Sequence, residues 1–329
     1  MKQSTELKMQ KKSDFGKERI EILYEDKDLM VIYKPEGLLS VSYPGSHSKT
    51  VIDIIEQIMR KKGTYSKSHR PFVVHRLDRE TSGVMMFALN ENAQKIIMET
   101  WHKMVTERLY IAVAENPKNP IALTGLIDDE IAYNAYNVGF VPKNNAHPNQ
   151  NAKNTLKNQK KVNGEKSIYE RNLSYKDGKV EFKTISARTN YKILEEGPFY
   201  SLFELNLDTG RKNQIRAHLA SKGYPLAGDE NYRAKTDPFF RLALHAKTLC
   251  FVHPFTKQKM KFECPEPEDW ILCVKNEKNP PLAIWQKQNY KKEKSNIYEE
   301  VSKNNKNIPS GKKLRGMDFI QKGKNFRKL

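Results

Sequence analysis

The segment "VVHRLDRETSGVMMFAL", residues 73 to 89, narrows the folds open to this chain more than any other. Apolar Val73 and Val74 give way to the charged cluster His75-Arg76-Leu77-Asp78-Arg79-Glu80, and Thr81-Ser82-Gly83 leads back to an apolar run from Val84 to Leu89. The pattern predicts two buried strands, 72 to 77 and 83 to 89, with Asp78 where the first strand ends and a loop begins. Loops carried on a rigid scaffold are where functional side chains are usually mounted. Asp78 is flanked there by Arg76 and Arg79. An aspartate beside a guanidinium stays ionised, which suits a nucleophile or electrostatic stabiliser and not a general acid. The plainer reading is that Asp78 caps a turn or neutralises Arg79.

Strand and helix signals alternate along the rest of the folded part. "IEILYED" and "LMVIYKPEG" read as strands joined by the turn Asp26-Lys27-Asp28. In "TVIDIIEQIMRKK", Val51, Ile54, Ile55, Ile58 and Met59 fall at helical spacing behind Thr50, a candidate N-cap. A helix from Asn92 to about Met104 and a strand "RLYIAVAE" follow. "KVEFKTISARTNYKIL" and "FYSLFELNLDTG" read as strands, the second alternating like a half-buried antiparallel strand. "KNQIRAHLASKG" predicts a helix ending at Gly223, and "LALHAKTLCFVHP" and "KMKFECP" predict two more strands. "PEPEDW" reads as the departure into the C-terminal extension. Mixed elements of this kind argue for an α/β or α+β domain and against a bundle.

The chain carries 58 Lys+Arg against 39 Asp+Glu, a net charge of +19, and such an excess favours nucleic acid as the partner. From Lys275 to Leu329 there are 15 Lys+Arg and 5 Asp+Glu, so 15 − 5 = +10 of that charge sits in the last segment. This segment also holds Phe319 and Phe326, which suits phosphate contacts with stacking and equally suits a solvated extension. The expected organisation is a polar N-terminal extension (1–18), a folded domain (19–274) interrupted by an Asn/Lys-rich loop (141–167), and the basic extension (275–329). No apolar stretch has the length of a secretory signal or a membrane span, so a cytoplasmic protein without membrane contact is expected. Cys250, Cys264 and Cys273 are odd in number and lack a C-x-x-C pattern, so they read as reduced packing residues and not as a disulfide or zinc site.

A second cluster, "TGRKNQIRAHL", sets Arg211, Gln214 and Arg216 at a strand-to-helix junction, with Ile215 and Leu219 on the packing face. A carboxylate or other anion is expected opposite it. The plainer readings are a solvated charge for Arg211, a structural ion pair for Arg216 and a half-buried strand tyrosine for Tyr110 in "ERLYIAVAE".

"HRLDRETSGV" resembles the signature of the RluA-type pseudouridine synthases; "RLYIAV" is similar to that family's second motif and "TGRKNQIRAHL" to its third. "KPEGL", "PLAGDENY" and "LALHAKTLCFVHP" resemble further family segments in the same order, so the likeness covers about residues 20 to 268. It implies an α+β (mixed α/β) pseudouridine synthase fold: a central, largely antiparallel sheet flanked by helices, with a cleft between two sheet halves that holds Asp78. The implied reaction converts uridine in structured ribosomal or transfer RNA to pseudouridine, breaking N1–C1′ and joining C5 to C1′, without cofactor or metal. A monomer is expected. The resemblance makes Asp78 the nucleophile, at C1′ or at the uracil ring, or the promoter of elimination to a glycal. It implies that Tyr110 packs on the target base and assists proton removal from C5, and that Arg216 pairs with Asp78. Arg76 is implied as a wedge that fills the gap left by a flipped base, or as a phosphate contact. Arg79, Arg211, Gln214 and Ile215 complete the implied RNA- and base-binding set. Relatives usually carry Thr-His where this chain has Lys212-Asn213, a departure that puts hydrogen bonds made there by relatives in question.

Two other classes compete with this one. A noncatalytic RNA-binding protein on the same fold would be favoured by loss of the aspartate, which is present. A hydrolase using Asp78 with Glu80 ranks last, because glycosidase carboxylates must face one bond across ~5 Å or more and neighbours on a short loop are poorly placed for that.

Overall fold

The computed structural model describes residues 20–43, 45–142, 173–176 and 179–276. They belong to a compact unit, Met1–Pro281; a second unit, Leu282–Leu329, lies outside the described residues. So do the expected extension at 1–18, nearly all of the expected loop at 141–167, and the basic extension beyond residue 276.

The chain runs through β1 (Glu21–Glu25), β2 (Leu29–Lys34), α1 (Val51–Lys62), β3 (Phe72–Val73), β4 (Ser82–Ala88), α2 (Glu91–Met104) and β5 (Val105–Glu115). Next come β6 (Thr124–Ile127), β7 (Ala132–Tyr133), β8 (Gly139–Phe140), β9 (Leu173–Lys176) and β10 (Lys179–Phe182). The last elements are β11 (Thr189–Glu196), β12 (Tyr200–Leu207), α3 (Gln214–Ser221), β13 (Leu244–Val252), β14 (Lys259–Glu263) and α4 (Glu268–Val274). One sheet has the order β1-β2-β4-β13-β5-β12-β11-β6, with β14 paired on β13 and β3 on β4. Its pairings are antiparallel except β4 with β13. The pairs β7–β8 and β9–β10 form separate hairpins.

The apolar runs of β2 and β4 have no polar face because both faces are covered. Met30, Ile32, Met85 and Phe87 pack under α1, whereas Leu29, Val31, Val84 and Met86 join the core that holds Ala93 and Ile97 of α2. Helix α1 forms where the spacing predicts it, behind a capping box in which Thr50 Oγ1 accepts from Asp53 N and the Asp53 carboxylate accepts from Thr50 N. Its Ile54 and Ile55 are fully buried, worth about 1.5–3 kcal/mol each as an upper bound. The other half of the sheet repeats the two-faced arrangement. Ala112, Ala114, Phe203 and Leu205 face a core with Ile215 and Leu219 of α3, and Ile111, Val113, Tyr200 and Leu202 face Trp270 and Val274 of α4.

The halves meet where β4 and β13 run parallel for only two residue pairs, Ser82 with His245 and Gly83 with Ala246. Gly83 has φ +122°, and a Cβ there would lie 2.1 Å from the Ala246 carbonyl oxygen, so only glycine lets the strands approach this closely. A polar relay crosses the same seam. Arg241 Nη2 donates to Ser82 Oγ at 2.7 Å, Ser82 Oγ and His245 Nδ1 are 2.8 Å apart, and His245 Nε2 reaches the Cys264 carbonyl at 3.0 Å. Burial lowers the pKa of His245, so the ring is neutral and donates to the carbonyl from Nε2.

Three sequence expectations are corrected. The first strand of the opening segment stops at Val73 and does not reach residue 77, because His75 turns its ring back and its Nε2, not a strand carbonyl, accepts from Met86 N at 2.9 Å. "KVEFKTISARTNYKIL" is not one strand: it divides into β10 and β11 around Ile185, whose backbone bonds to Ile131 instead. "PEPEDW" is not a departure from the fold; it opens α4, whose Trp270 and Val274, spaced one helical turn apart, are fully buried. Cys264 is buried and Cys250 and Cys273 are partly buried, all three as free thiols.

Candidate active site

The loop that carries Asp78 is fixed from below by the segment after β2. Lys34 is fully buried and donates to the carbonyls of Pro35 (2.9 Å), Leu38 (2.7 Å) and Arg79 (3.1 Å). Burial lowers its pKa to about 7, while Glu80, Asp78 and the three carbonyls favour the ammonium. Ser40 Oγ donates to the Leu77 carbonyl at 2.7 Å, and Arg79 Nε to the Gly37 carbonyl at 3.0 Å. Arg79 is thereby spent on this loop and is not the guanidinium that holds Asp78.

That guanidinium comes from α3, across the seam. Arg216 Nη1 lies 3.4 Å from Asp78 Oδ2. The rest of the group is a fork on a buried carboxylate, Nε to Asp229 Oδ2 and Nη2 to Asp229 Oδ1, both at 2.7 Å. Burial alone would lower the Arg216 pKa, but the hydrogen bonds and charge of Asp229, with Asp78 adding, raise it above the ordinary arginine value. Arg216 is therefore both the structural ion pair of the plainer reading and a partner of Asp78. The Asp78 carboxylate has a second donor, Asn213 Nδ2, at 2.7 Å from the same Oδ2.

A pocket of about 140 Å³ opens onto this carboxylate. Asp78, Arg76, Tyr110, Arg211, Gln214, Ile215 and Arg216 all line it, so seven of the eight residues singled out in the sequence converge there and Arg79 is directed elsewhere. Arg76 is exposed at its rim. Tyr110 sits on β5 between Leu205 and Ala246 with its pKa raised by burial. Arg211 is exposed and donates to the Ser186 carbonyl at 3.0 Å. Gln214 is buried with its amide already engaged: Oε1 accepts from Thr209 Oγ1 and Arg211 N, and Nε2 donates to the Arg188 carbonyl and Thr189 Oγ1. It closes the turn into α3, while Ile215 packs into the core beneath.

Asp229, Asn213 and Lys34 are the site residues that residue-by-residue reading missed. Each stood inside a quoted motif, "PLAGDENY", "TGRKNQIRAHL" and "KPEGL", but no local pattern gives its partner. Two are acidic or amide side chains in turns, and a lysine on a strand ordinarily reads as exposed.

A two-part sheet with a carboxylate at its seam, fixed by an arginine and an amide beside a half-buried tyrosine, defines an α+β protein whose pocket opens onto one acidic residue. A family model described as RNA pseudouridylate synthase matches residues 28–221. A Bacillus subtilis protein named as the uncharacterized RNA pseudouridine synthase YlyB is 30% identical over 258 residues, covering 78% of this chain and 72% of that protein. Ribosomal large subunit pseudouridine synthase D of Neisseria meningitidis serogroup A is 28% identical over 262 residues, covering 76% of this chain and 59% of that protein. Among solved structures, human RNA Pseudouridylate Synthase Domain Containing 4 shares the fold with a TM-score of 0.52 at 22% identity, over 76% of this chain and 90% of that one. The chain belongs to the RNA pseudouridylate synthase family and is an RNA pseudouridine synthase, an isomerase acting on RNA. Its fold is the α+β pseudouridine synthase fold expected from the resemblance. Among the described residues, no helix is long and apolar enough to cross a membrane.

Proposed function

We propose that this enzyme isomerises particular uridines of structured ribosomal or transfer RNA, with Asp78 as the nucleophile acting on a uridine turned out of its helix. The observation that carries the reading is the Asp78 carboxylate at the pocket, held on Oδ2 by Arg216 and Asn213. A carboxylate nucleophile needs charge, orientation and a site from which water is excluded. Arg216 supplies the first two, since its fork on Asp229 keeps it from swinging away; the everted base supplies the third. The N1–C1′ bond breaks, C5 bonds to C1′, the C5 proton leaves and N1 gains one. Tyr110, whose raised pKa keeps the phenol protonated at neutral pH, packs on the base as a neutral ring. Arg76, exposed at the rim, fills the space that the base vacates. Arg211 and the basic extension from 275 to 329 meet phosphates, and 19–274 forms the catalytic domain. The name of the Neisseria relative makes ribosomal RNA the first place to look.

The test is to treat total RNA from cells lacking the gene with purified wild-type protein or with Asp78→Ala, and map pseudouridine by carbodiimide-dependent primer-extension stops. New stops with the wild type alone are expected. New stops of equal strength with Asp78→Ala would remove the nucleophile role.

A further inference from the structure

We infer that Asn213 is a positioning residue for Asp78: with Arg216 it fixes Oδ2, leaving Oδ1 as the oxygen that engages the uridine. The inference rests on the proposed role of Asp78. It begins from a backbone outlier. Asn213 stands at the N-cap of α3 with φ 57° and ψ 20°, a left-handed conformation, and its side chain makes no capping hydrogen bond. Asparagine at an N-cap ordinarily has extended backbone and accepts from the first turn of its helix. Here that bond is forgone, and the left-handed backbone points the amide toward the seam. Departures of this kind persist where the surroundings over-determine them and where function uses them.

The surroundings do so. Asn213 Nδ2 donates to Asp78 Oδ2 at 2.7 Å, and Asn213 Oδ1 is 3.4 Å from Gly139 N of β8. Amide oxygen and nitrogen are thus assigned by their partners, since a backbone N–H and a carboxylate cannot exchange places. Gly139 presses on the turn itself: a Cβ there would lie 2.9 Å from the Lys212 carbonyl oxygen. The β7–β8 hairpin is further tied by a hydrogen bond from Tyr232 Oη to the Gly139 carbonyl. A chain of contacts therefore runs from the hairpin through Asn213 to the reacting carboxylate. Among the described residues, the two donors on the carboxylate meet at Oδ2, from the amide and from Arg216 Nη1. Two donors on one oxygen fix the rotation of the group, so Oδ1 is held toward the pocket without itself being masked. The donor is an amide, which has no titration of its own in the working range.

The experiment uses total RNA from a gene-deletion strain, labelled with tritium at uridine C5, and measures tritium release at saturating excess enzyme. Asn213→Gly keeps the left-handed backbone without strain but lacks the donor. Its chemical step is expected to slow by on the order of 10²-fold, the scale of a misplacement of about 1 Å, with RNA affinity and thermal midpoint near wild type. Asn213→Asp gives a readout that a merely structural role would not move. Asp78 accepts from that position and Arg216 shares the same Asp78 oxygen, while Arg76 and Arg216 act on the adjacent Lys212 and Arg211 and Asp78 on Tyr133 of β7, so the charges around the turn are mixed. Two carboxylates there share a proton, and only the protonated one can donate. Activity of Asn213→Asp is therefore expected to rise as pH is lowered from about 8 toward about 5.5, where Asn213→Gly stays slow. A chemical step within about threefold of wild type in Asn213→Gly, or a wild-type pH profile in Asn213→Asp, overturns the inference. Asp78→Ala is run beside them. If it is inactive while Asn213→Gly is normal, only the positioning role falls; if it is active, the nucleophile reading fails first.

Discussion

The sheet half built on β2 and β4 and the half built on β5 and β12 each bury these strands against cores on both faces, yet hold their charged groups by opposite means. In the first, the ammonium of Lys34 is spent on three main-chain carbonyls and fixes a loop. In the second, Arg216 is held by a carboxylate fork and carries its charge to the seam. One half immobilises the backbone of the Asp78 loop and the other supplies the field at the Asp78 side chain. Neither half contains a complete site, because the Asp78 loop belongs to the first and Asn213 and Arg216 to the second.

The largest effect is expected where the halves meet. Gly83→Ala puts a methyl group 2.1 Å from the Ala246 oxygen at a φ that side chains rarely adopt, and neither backbone can yield without losing register. A loss of about 4 kcal/mol or more in urea denaturation is expected; an unchanged midpoint would mean that the seam is plastic and the halves move independently. Next comes the second half's own charge. Asp229→Ala leaves Arg216 buried with the 3.4 Å contact to Asp78 as its one carboxylate partner among the described residues, and about 3–5 kcal/mol of stability is expected to go, read by the same denaturation.

The effect in the first half vanishes at neutral pH and shows only as a pH dependence. Burial lowers the His75 pKa to about 3, with Arg108 adding, against an ordinary value of 6.5. The folded state thus binds fewer protons than the unfolded one, so the His75 contribution is complete above about pH 6.5 and is lost as pH falls toward 3. The slope is at most about 1.4 kcal/mol per pH unit. In His75→Gln, whose side-chain oxygen can still accept from Met86 N, stability measured between about pH 6.5 and pH 4 should fall less steeply than in the wild type. Equal slopes would assign acid sensitivity to His218 and His245, whose pKa values burial also lowers.

Much of the site was legible because motifs are local. Asp78, Tyr110, Arg211, Gln214, Ile215 and Arg216 were all picked from three short segments, and all line one pocket. What failed was the choice of partner. Arg79 adjoins Asp78 in sequence and so read as its counter-ion, but it turns to Gly37. Gln214 lines the pocket as expected of a base-binding residue, and its amide is engaged by Thr209, Arg211, Arg188 and Thr189. Hydrogen bonding at Asn213 stood in question, and it donates the shorter of the two hydrogen bonds to Asp78.

By itself the sequence determined the elements whose signals lie within a few residues: helix α1 behind its capping box, the two-faced strands β2 and β4, the alternation of β12, and the charged loop. Periodicity and capping act between near neighbours, and the chain writes them out directly. Tertiary structure alone decided that β4 and β13 touch along two residue pairs, that Arg216 reaches Asp229 before Asp78, and that Asn213 faces the carboxylate. Hydrogen bonds between residues 13 to 138 positions apart leave no period in the sequence. They exist only once burial on both faces of the sheet has fixed the register that brings those residues together.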